Sequence, residues 1–278
     1  MILALLLMGC NLPISKTAPT NTIVALPSPL GSAAPQVTGA ADQFGIPTLE
    51  SAASAADTLP EEGILIREPG PGSRLTSPVW IAGVSDPAFE QTLGVSIVLD
   101  DGSVLAIGSV RMEAEAGQRG NFAVDVSFDI EGERQAFIQV FASSPRDGGI
   151  THLNSVGVTL TSSGTPDIKF VEPYSERILI RTPIPAGQVQ GGVVHVEGFG
   201  LASFEQTLLV EVQDASGMVV GSSPVIVTAP DLGQPGPFSA DISYTVSESG
   251  PGRIIVRDIS PAYGGNTHLA SVEVSLLP

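Results

Sequence analysis

Among the residues of this chain that could do chemistry are three histidines, two of which occupy the same place in a repeated pattern. Gly-Gly-x-Thr-His-Leu occurs at residues 148–153 and again at 264–269, so His152 and His268 are equivalent. An imidazole there could bind a metal ion or a ligand. Alternatively, the glycines form a turn, and Thr and His bond to the backbone where a strand starts. We expect the structural role, because residues kept in both copies most simply serve the fold that both share.

Loops at the end of a domain are common contact sites, because a rigid scaffold positions them. The candidates for such contacts here are His152, His268, Tyr263 and Tyr174. The third histidine, His195, lies between two valines and is predicted to face solvent on a strand.

Three further side chains have a functional and a structural interpretation. Trp80 lies between two apolar residues, so we predict core packing rather than a platform for a sugar. Glu90 and Glu205 each follow a phenylalanine that we predict to be buried. A carboxylate in that place is expected to cap backbone N–H groups rather than to bind a ligand.

An acidic stretch is a candidate site for a hard cation, because calcium takes oxygen ligands from clustered carboxylates. Its members are Asp125, Asp129, Glu131 and Glu133. However, the two aspartates alternate with apolar residues, as on a solvated strand face. The matching stretch of the second copy is not acidic throughout and reads Asp241, Ser243, Thr245 and Ser247. We therefore predict no metal site at this stretch, and calcium binding remains the alternative.

Signatures of catalysis are missing from the sequence. It contains no Gly-x-Ser-x-Gly, no His-Glu-x-x-His, no phosphate-binding loop and no dinucleotide fingerprint. A Ser-His-Asp triad needs no adjacent residues and stays open. We predict a protein that is not an enzyme, without catalytic residues or a cofactor.

The elements that position these residues come from a duplication. Ile64-Leu-Ile-Arg recurs at 178–181, and Phe89-Glu-Gln-Thr-Leu recurs at 204–208. Residues 148–160 match residues 264–276 at nine of thirteen positions. The spacing of 114 to 116 residues is far longer than a solenoid repeat, so each copy should be a domain with its own core.

Each copy has the alternation of apolar and polar residues that is typical of strands. In the first copy we predict seven strands, near residues 62–68, 77–84, 91–100, 103–113, 121–130, 134–143 and 154–161. This pattern predicts an all-β protein of two tandem immunoglobulin-like antiparallel β-sandwiches. They are without disulfides, because the chain has a single cysteine. The first strand of the second copy could be either 167–173 or 178–183, and the repeat spacing favours the latter.

The chain opens with an apolar run at residues 2–8, far shorter than the ~20 residues that span a bilayer. Leu7-Met8-Gly9-Cys10 resembles the lipobox of bacterial lipoprotein signal peptides, whose cysteine becomes the lipidated first residue. The resemblance implies a signal segment over 1–10, lipidation at Cys10, and an extracytoplasmic protein that contacts the membrane only through its lipid. Residues 11–60 are rich in Ser, Thr, Ala and Pro with almost no charge, which predicts a disordered tether.

Each copy also resembles the immunoglobulin-like domain of bacterial spore germination. The residues that carry this resemblance are Pro69, Ser77-Pro78-Val79, Gly83, Phe89-Glu90 and Phe122, then Pro183, Gly198, Phe204-Glu205, Gly217, Phe238 and Gly264-Gly265. The second copy departs from the pattern at Ser-Pro, where Gly191-Gly192 stand. The resemblance implies an extracytoplasmic, non-enzymatic module with no catalytic residue to transfer.

The amino-acid composition limits the kinds of partner that we expect this protein to bind. The net charge is −17, which excludes nucleic acid as an expected partner because phosphate contacts need a basic face. We predict domains at 61–161 and 178–278, joined by a linker over 162–177. We expect this lipoprotein to bind a protein partner or an envelope polysaccharide at the cell surface. The alternative is a passive spacer of the envelope that could act in sporulation or germination, and an enzyme is the remotest expectation.

Overall fold

The computed structural model describes residues 59–278, which form two β-sandwiches in tandem. The predicted signal segment with Cys10 and residues 11–58 of the predicted tether lie outside the described residues. Within 59–278 no helix is long and apolar enough to cross a membrane. The only helical element in this range is a 3-10 turn at Phe89–Gln91.

Domain 1 has the seven predicted strands and one short additional strand. The strands are β1 (Ile64–Glu68), β2 (Arg74–Leu75), β3 (Val79–Ser85), β4 (Thr92–Leu99), β5 (Val104–Arg111), β6 (Gly120–Val126), β7 (Glu133–Ser143) and β8 (Ile150–Thr161). One sheet has the order β1-β3-β6, and the opposing sheet contains β5-β4-β7-β8, with β2 parallel to β8.

Domain 2 repeats this arrangement. Its strands are β9 (Ile178–Thr182), β10 (Gln188–Val189), β11 (Val193–Gly200), β12 (Thr207–Gln213), β13 (Val219–Ile226), β14 (Gly236–Ser243), β15 (Gly250–Ile259) and β16 (Asn266–Leu276). Residues 167–171 run along domain 1 instead of beginning domain 2: Gly70 N donates to Lys169 O at 2.7 Å, and Val171 N donates to Arg67 O at 2.9 Å.

Each domain has its own apolar core between its two sheets. Phe122 and Phe238 occupy equivalent positions in the two cores and are fully buried. Each ring lies over the glycine that it pairs with on the neighbouring strand of the same sheet, which is Gly83 for Phe122 and Gly198 for Phe238. A Cβ at either glycine would come within 2.6 Å of the ring, so these positions need glycine for packing.

The repeated Phe-Glu-Gln-Thr segment forms a left-handed turn before β4 and before β12. Glu90 and Gln91 have φ of 52° and 55°, and Glu205 and Gln206 have φ of 48° and 53°. The prediction of a buried phenylalanine is wrong, because Phe89 and Phe204 are about half exposed. The turn directs each ring outward, and the following threonine hydroxyl donates to the carbonyl of Glu90 or Glu205.

The two domains share one sheet. Strands β8 and β16 pair antiparallel, so the larger sheets join into a path β13-β12-β15-β16-β8-β7-β4-β5. Backbone hydrogen bonding therefore continues from one domain into the other.

Candidate functional site

The junction of the two domains is built around an approximate two-fold axis. In the β8–β16 pairing Leu153 lies opposite Leu269, which is its equivalent 116 residues later. On either side His152 pairs with Ala270, and Asn154 pairs with His268. The two domains thus meet as the subunits of an isologous dimer do, but within one chain.

The segments before β1 and β9 extend this symmetry. Glu62 N donates to Tyr174 O at 2.9 Å, and Glu176 N donates to Pro60 O at 2.8 Å. Glu62 and Glu176 are equivalent residues 114 positions apart. These backbone bonds bring the two glutamates together at the ends of β8 and β16 that carry the histidines.

Two glutamates and two histidines meet at this point. The Nε2 atom of His152 lies 2.8 Å from Glu62 Oε1, and Nε2 of His268 lies 3.2 Å from Glu176 Oε1. The crossed distances are similar: His152 Nε2 is 3.8 Å from Glu176 Oε1, and His268 Nε2 is 3.7 Å from Glu62 Oε2. We call these four residues the junction cluster.

Backbone donors fix the far oxygen of each carboxylate. Gly63 N donates to Glu176 Oε2 at 2.8 Å, and Arg177 N donates to Glu62 Oε2 at 3.2 Å. Each glutamate therefore binds the backbone of the other domain's leading segment. Such bonds offset part of the cost of removing two carboxylates from water.

The two imidazoles differ in charge state. Burial is the largest influence on His268 and lowers its pKa to about 3, so this ring is neutral. Burial also opposes the charge on His152, but the hydrogen bond with Glu62 and the charge of Glu176 outweigh it and raise the pKa of His152. The rings meet edge to face at 5.2 Å. Hydrogen bonding thus favours one charged histidine beside the two acids.

The flanks of the junction break the symmetry. On one side Arg253 Nη2 lies 2.7 Å from Asp147 Oδ1. The equivalent positions on the other side are Phe137 and Tyr263, whose rings stack with centroids 4.4 Å apart. The same two positions of the repeat thus form an ion pair on one flank of the junction and an aromatic contact on the other flank.

All four candidates for end-loop contacts lie in this junction. His152 and His268 are in strands β8 and β16, because both strands begin before the histidines. The hydroxyl of Tyr174 accepts a hydrogen bond from Asn154 Nδ2 at 2.7 Å, and burial raises the pKa of Tyr174 to about 12. The two histidines thus lie on strands rather than in end loops, whereas Tyr174 and Tyr263 lie in the loops before β9 and β16. A contact role for these four residues stays a prediction.

The acidic stretch is not assembled into a ligand set. Asp125 lies on β6, Asp129 and Glu131 follow that strand, and Glu133 begins β7 and forms an ion pair with Arg74. Among residues 59–278 the side chains that bring three or more potential metal ligands together are those of the junction cluster, with all four ligand atoms within 4.8 Å.

Trp80 and His195 occupy equivalent exposed positions. The prediction of core packing is wrong for Trp80, which is 45% exposed on β3 opposite Asp125 of β6. His195 faces solvent as predicted, and its Nδ1 lies 2.7 Å from Asp241 Oδ1. Alternation along β3 was the usable signal for Trp80, because Val79 and Ile81 point inward and the residue between them must point outward.

Sequence reasoning missed Glu62, Glu176 and Arg253. A signal existed for the two glutamates, because the repeat reads Glu-Gly-Ile-Leu-Ile-Arg at 62–67 and Glu-Arg-Ile-Leu-Ile-Arg at 176–181. Arg253 has no counterpart in the first copy, where Phe137 stands, so the repeat could not reveal it.

Comparison with known families identifies both copies of the repeat. The family described as the immunoglobulin-like domain of bacterial spore germination matches residues 63–149 and 177–265. No curated protein matches the chain.

Similar solved structures include dimeric latent PorU from Porphyromonas gingivalis, with 16% identity, a TM-score of 0.29 and coverage of 84% of this chain and 21% of that one. Red sea bream transglutaminase has 7% identity, a TM-score of 0.28 and coverage of 78% and 31%. Titin domains z1z2 in complex with telethonin have 13% identity, a TM-score of 0.19 and coverage of 79% and 97%. The chain thus spans about a fifth of PorU and a third of the transglutaminase. TM-scores this low carry no argument about function.

Proposed function

Because the chain belongs to the family of immunoglobulin-like domains of bacterial spore germination, we propose that it is a non-enzymatic envelope module that binds a cell-surface polysaccharide through domain 1. The family and the fold support a binding or structural role rather than catalysis.

The observation that carries the choice of ligand is the exposed indole of Trp80. It lies on the outer face of the β1-β3-β6 sheet, directly opposite the exposed carboxylate of Asp125. The next pair on this face is Ala82 and Ala123, whose small side chains leave the indole accessible. An aromatic face beside oxygen acceptors suits a sugar, because the ring stacks on C–H groups while the acceptors bind hydroxyls.

Domain 2 lacks this platform. Its equivalent positions are His195 and Asp241, which hydrogen-bond to each other, and Glu197 stands where domain 1 has Ala82. The proposed contact is therefore confined to domain 1.

We also propose that Cys10 is lipidated and that residues 11–58 tether the domains to the membrane. The support is the lipobox-like Leu-Met-Gly-Cys at 7–10 and the Pro-, Ser- and Thr-rich composition that follows. Labelling producing cells with a clickable fatty acid should mark the protein, and Cys10→Ser should remove the label. Equal labelling of the Cys10→Ser chain would contradict the anchor.

Co-sedimentation with isolated cell-wall polysaccharide tests the binding role. The full chain carrying Cys10→Ser, which removes the proposed lipidation site, should sediment saturably. Trp80→Ala should weaken binding by about tenfold or more, the loss expected for one stacked aromatic contact of ~1.5 kcal/mol. His195→Ala is the matched control, since it removes an exposed ring at the equivalent position, and it should bind normally. Equal binding by the Trp80→Ala and unsubstituted chains would reject this face.

A rigid spacer is the second candidate, and the shared sheet at the junction favours it. Strand pairing and a buried interface hold the two domains in a fixed orientation. If no polysaccharide sediments with the protein, crosslinking on intact cells separates the remaining roles. A specific crosslinked protein would indicate a partner, and its absence would leave the spacer.

A further inference from the structure

The junction cluster presents four ligand atoms that converge on one point. The Nε2 atoms of His152 and His268 and one oxygen each of Glu62 and Glu176 all lie within 4.8 Å of one another. His152 Nε2 lies 2.8 Å from Glu62 Oε1 and 3.8 Å from Glu176 Oε1, and His268 Nε2 lies 3.2 Å from Glu176 Oε1. A tetrahedral Zn²⁺ with bonds of ~2.0–2.1 Å places its ligand atoms about 3.3 Å apart. These three separations bracket that value.

The glutamates are already held as metal ligands usually are. In each, one oxygen faces a histidine, and the far oxygen accepts a backbone N–H, from Arg177 for Glu62 and from Gly63 for Glu176. Such outer contacts orient the ligating atom and are a regular feature of metal sites. They would remain in place when a cation replaced the histidine–glutamate hydrogen bonds.

Charge and burial also favour a cation. Glu62 and His268 are fully buried, and Glu176 is nearly so. The guanidinium of Arg177, the residue next to Glu176, is directed to Asp258 at 3.7 Å. The two buried carboxylates thus face one charged and one neutral imidazole, and a dication bound to both Nε2 atoms would displace the proton of His152 and balance both negative charges.

We propose that Glu62, His152, Glu176 and His268 form a four-coordinate Zn²⁺ site on the axis between the two domains. Two imidazole nitrogens and two carboxylate oxygens suit zinc better than Ca²⁺ or Mg²⁺, which prefer oxygen ligands throughout. All four positions are filled by protein, which is the pattern of a structural site and not of a catalytic one. His152 is partly exposed, and a pocket of about 240 Å³ lined by His152 and Glu176 gives the ion a way in.

Such a site would be a clamp between domains. Glu62 and His152 come from domain 1, and Glu176 and His268 come from domain 2, so the ion binds only when the domains are docked. By mass action, zinc would stabilise the docked form over any form in which the junction is open. The site shares no residue with the face around Trp80, so the two proposals succeed or fail separately.

Metal titration of the full chain tests this. The Cys10→Ser chain, which also lacks the only thiol, is stripped with a chelator and titrated with ZnCl₂ by calorimetry. We expect one zinc per chain and a rise in melting temperature. Substitution by Co²⁺ should give the strong visible absorption of tetrahedral cobalt. His152→Gln should weaken binding by about 100-fold or more, since a lost ligand costs at least what a lost outer-shell partner does.

His195→Gln is the matched control, because His195 also contacts a carboxylate but is exposed and is not a member of the cluster. His152 lies at the rim of the cluster, and glutamine can still hydrogen-bond there, so this variant should fold, as circular dichroism of the metal-free form would verify. Three results would overturn the proposal: no stoichiometric zinc, equal affinities in the His152→Gln and unsubstituted chains, or equal losses in both variants. Each would leave the cluster as a hydrogen-bonded junction only.

Discussion

The axis of the junction and its two flanks differ in which residues contact each other. On the axis each residue lies next to its own equivalent, as Leu153 does with Leu269 and His152 with His268. On the flanks a residue meets a different position of the other domain. There Asp147 pairs with Arg253, while the equivalent contact joins Tyr263 to Phe137. The axial residues are kept in both copies, and the flanking ones are not.

This difference has a physical reason. On the axis a residue contacts its own equivalent, so a substitution there must be compatible with that equivalent residue. On the two flanks the contacts join four different residues, so each contacting pair can be substituted independently of the other. Because the two flanks differ, the junction distinguishes domain 1 from domain 2. Pairing two copies of domain 1 in the same way would set Asp147 against Phe137 twice, losing both the ion pair and the stack. Domain 1 with domain 2 satisfies both flanks, which disfavours the association of two copies of domain 1 through this surface.

The largest expected effect is at the axis. Leu153 and Leu269 are buried at the centre of an apolar cluster with Ile255. Replacing either leucine by alanine leaves a cavity and should cost about 3–4 kcal/mol in the free energy of unfolding, measured by denaturant titration of the full chain. Because the two leucines pack in one buried cluster, both variants should lose stability in this range. A loss below about 1 kcal/mol in either variant would show that the axial contact contributes little to the fold.

The next effect is on the charged flank. Arg253 is almost fully buried, and its guanidinium contacts Asp147 at 2.7 Å and Glu273 at 3.0 Å. Arg253→Ala should cost about 3 kcal/mol, the lower end for a buried pair, because the carboxylates left behind are partly in water. The control is Arg146→Ala, which removes a more exposed arginine from the same Asp147 and should cost less than about 1 kcal/mol. Similar losses for both arginines would refute this ranking.

Acid should weaken the charged flank alone. Burial would raise the pKa of the Asp147 carboxyl, but hydrogen bonds from Arg253, Arg146 and Gly149 N–H outweigh it and hold that pKa well below its usual range. The pKa of Glu273, on the other side of Arg253, is also lowered, chiefly by the hydrogen bond from Ser144. A carboxyl whose pKa is lower in the folded than in the unfolded state stabilises the fold above an unfolded pKa of about 4, and this contribution is lost as the pH falls further.

The unfolding free energies of the unsubstituted and Arg253→Ala chains should therefore differ by a constant amount at neutral pH and converge as the pH falls below about 4. Denaturant titrations at several pH values measure this. A constant difference from pH 7 down to pH 3 would mean that Arg253 stabilises the junction through packing rather than through charge.

The strands and the duplication could be predicted from the sequence, because alternation and repeat spacing are local signals. The match at 63–149 and 177–265 confirms the family resemblance and the two tandem copies. The junction could not be predicted, because the pairing of β8 with β16 depends on which sheet edges meet, and no local pattern encodes that. Trp80 was misassigned because its apolar neighbours were given more weight than strict alternation.

The two repeated histidines are the clearest example of a role that could not be predicted from the sequence. The repetition of His152 and His268 predicts that both serve the fold of their domains, with contacts in end loops as the functional alternative. Repetition alone does not show that two copies dock, but equivalent polar residues are brought together whenever two copies dock symmetrically. Glu62 and Glu176 carried the same signal, two residues before the repeated Ile-Leu-Ile-Arg.

The smallest expected effect is on the aromatic flank. The hydroxyl of Tyr263 donates to Asn266 O at 2.7 Å and accepts from Gln139 Nε2 at 3.2 Å, while its ring stacks on Phe137. Tyr263→Phe keeps the stack and should cost only about 1 kcal/mol for the lost hydrogen bonds, measured by the same denaturant titration. Burial raises the pKa of Tyr263 to about 12, so the hydroxyl stays neutral and this loss should be the same at pH 3 and pH 7. A loss that changed with pH in step with that of Arg253→Ala would mean that the flanks act as one coupled network, and the distinction between them would fail.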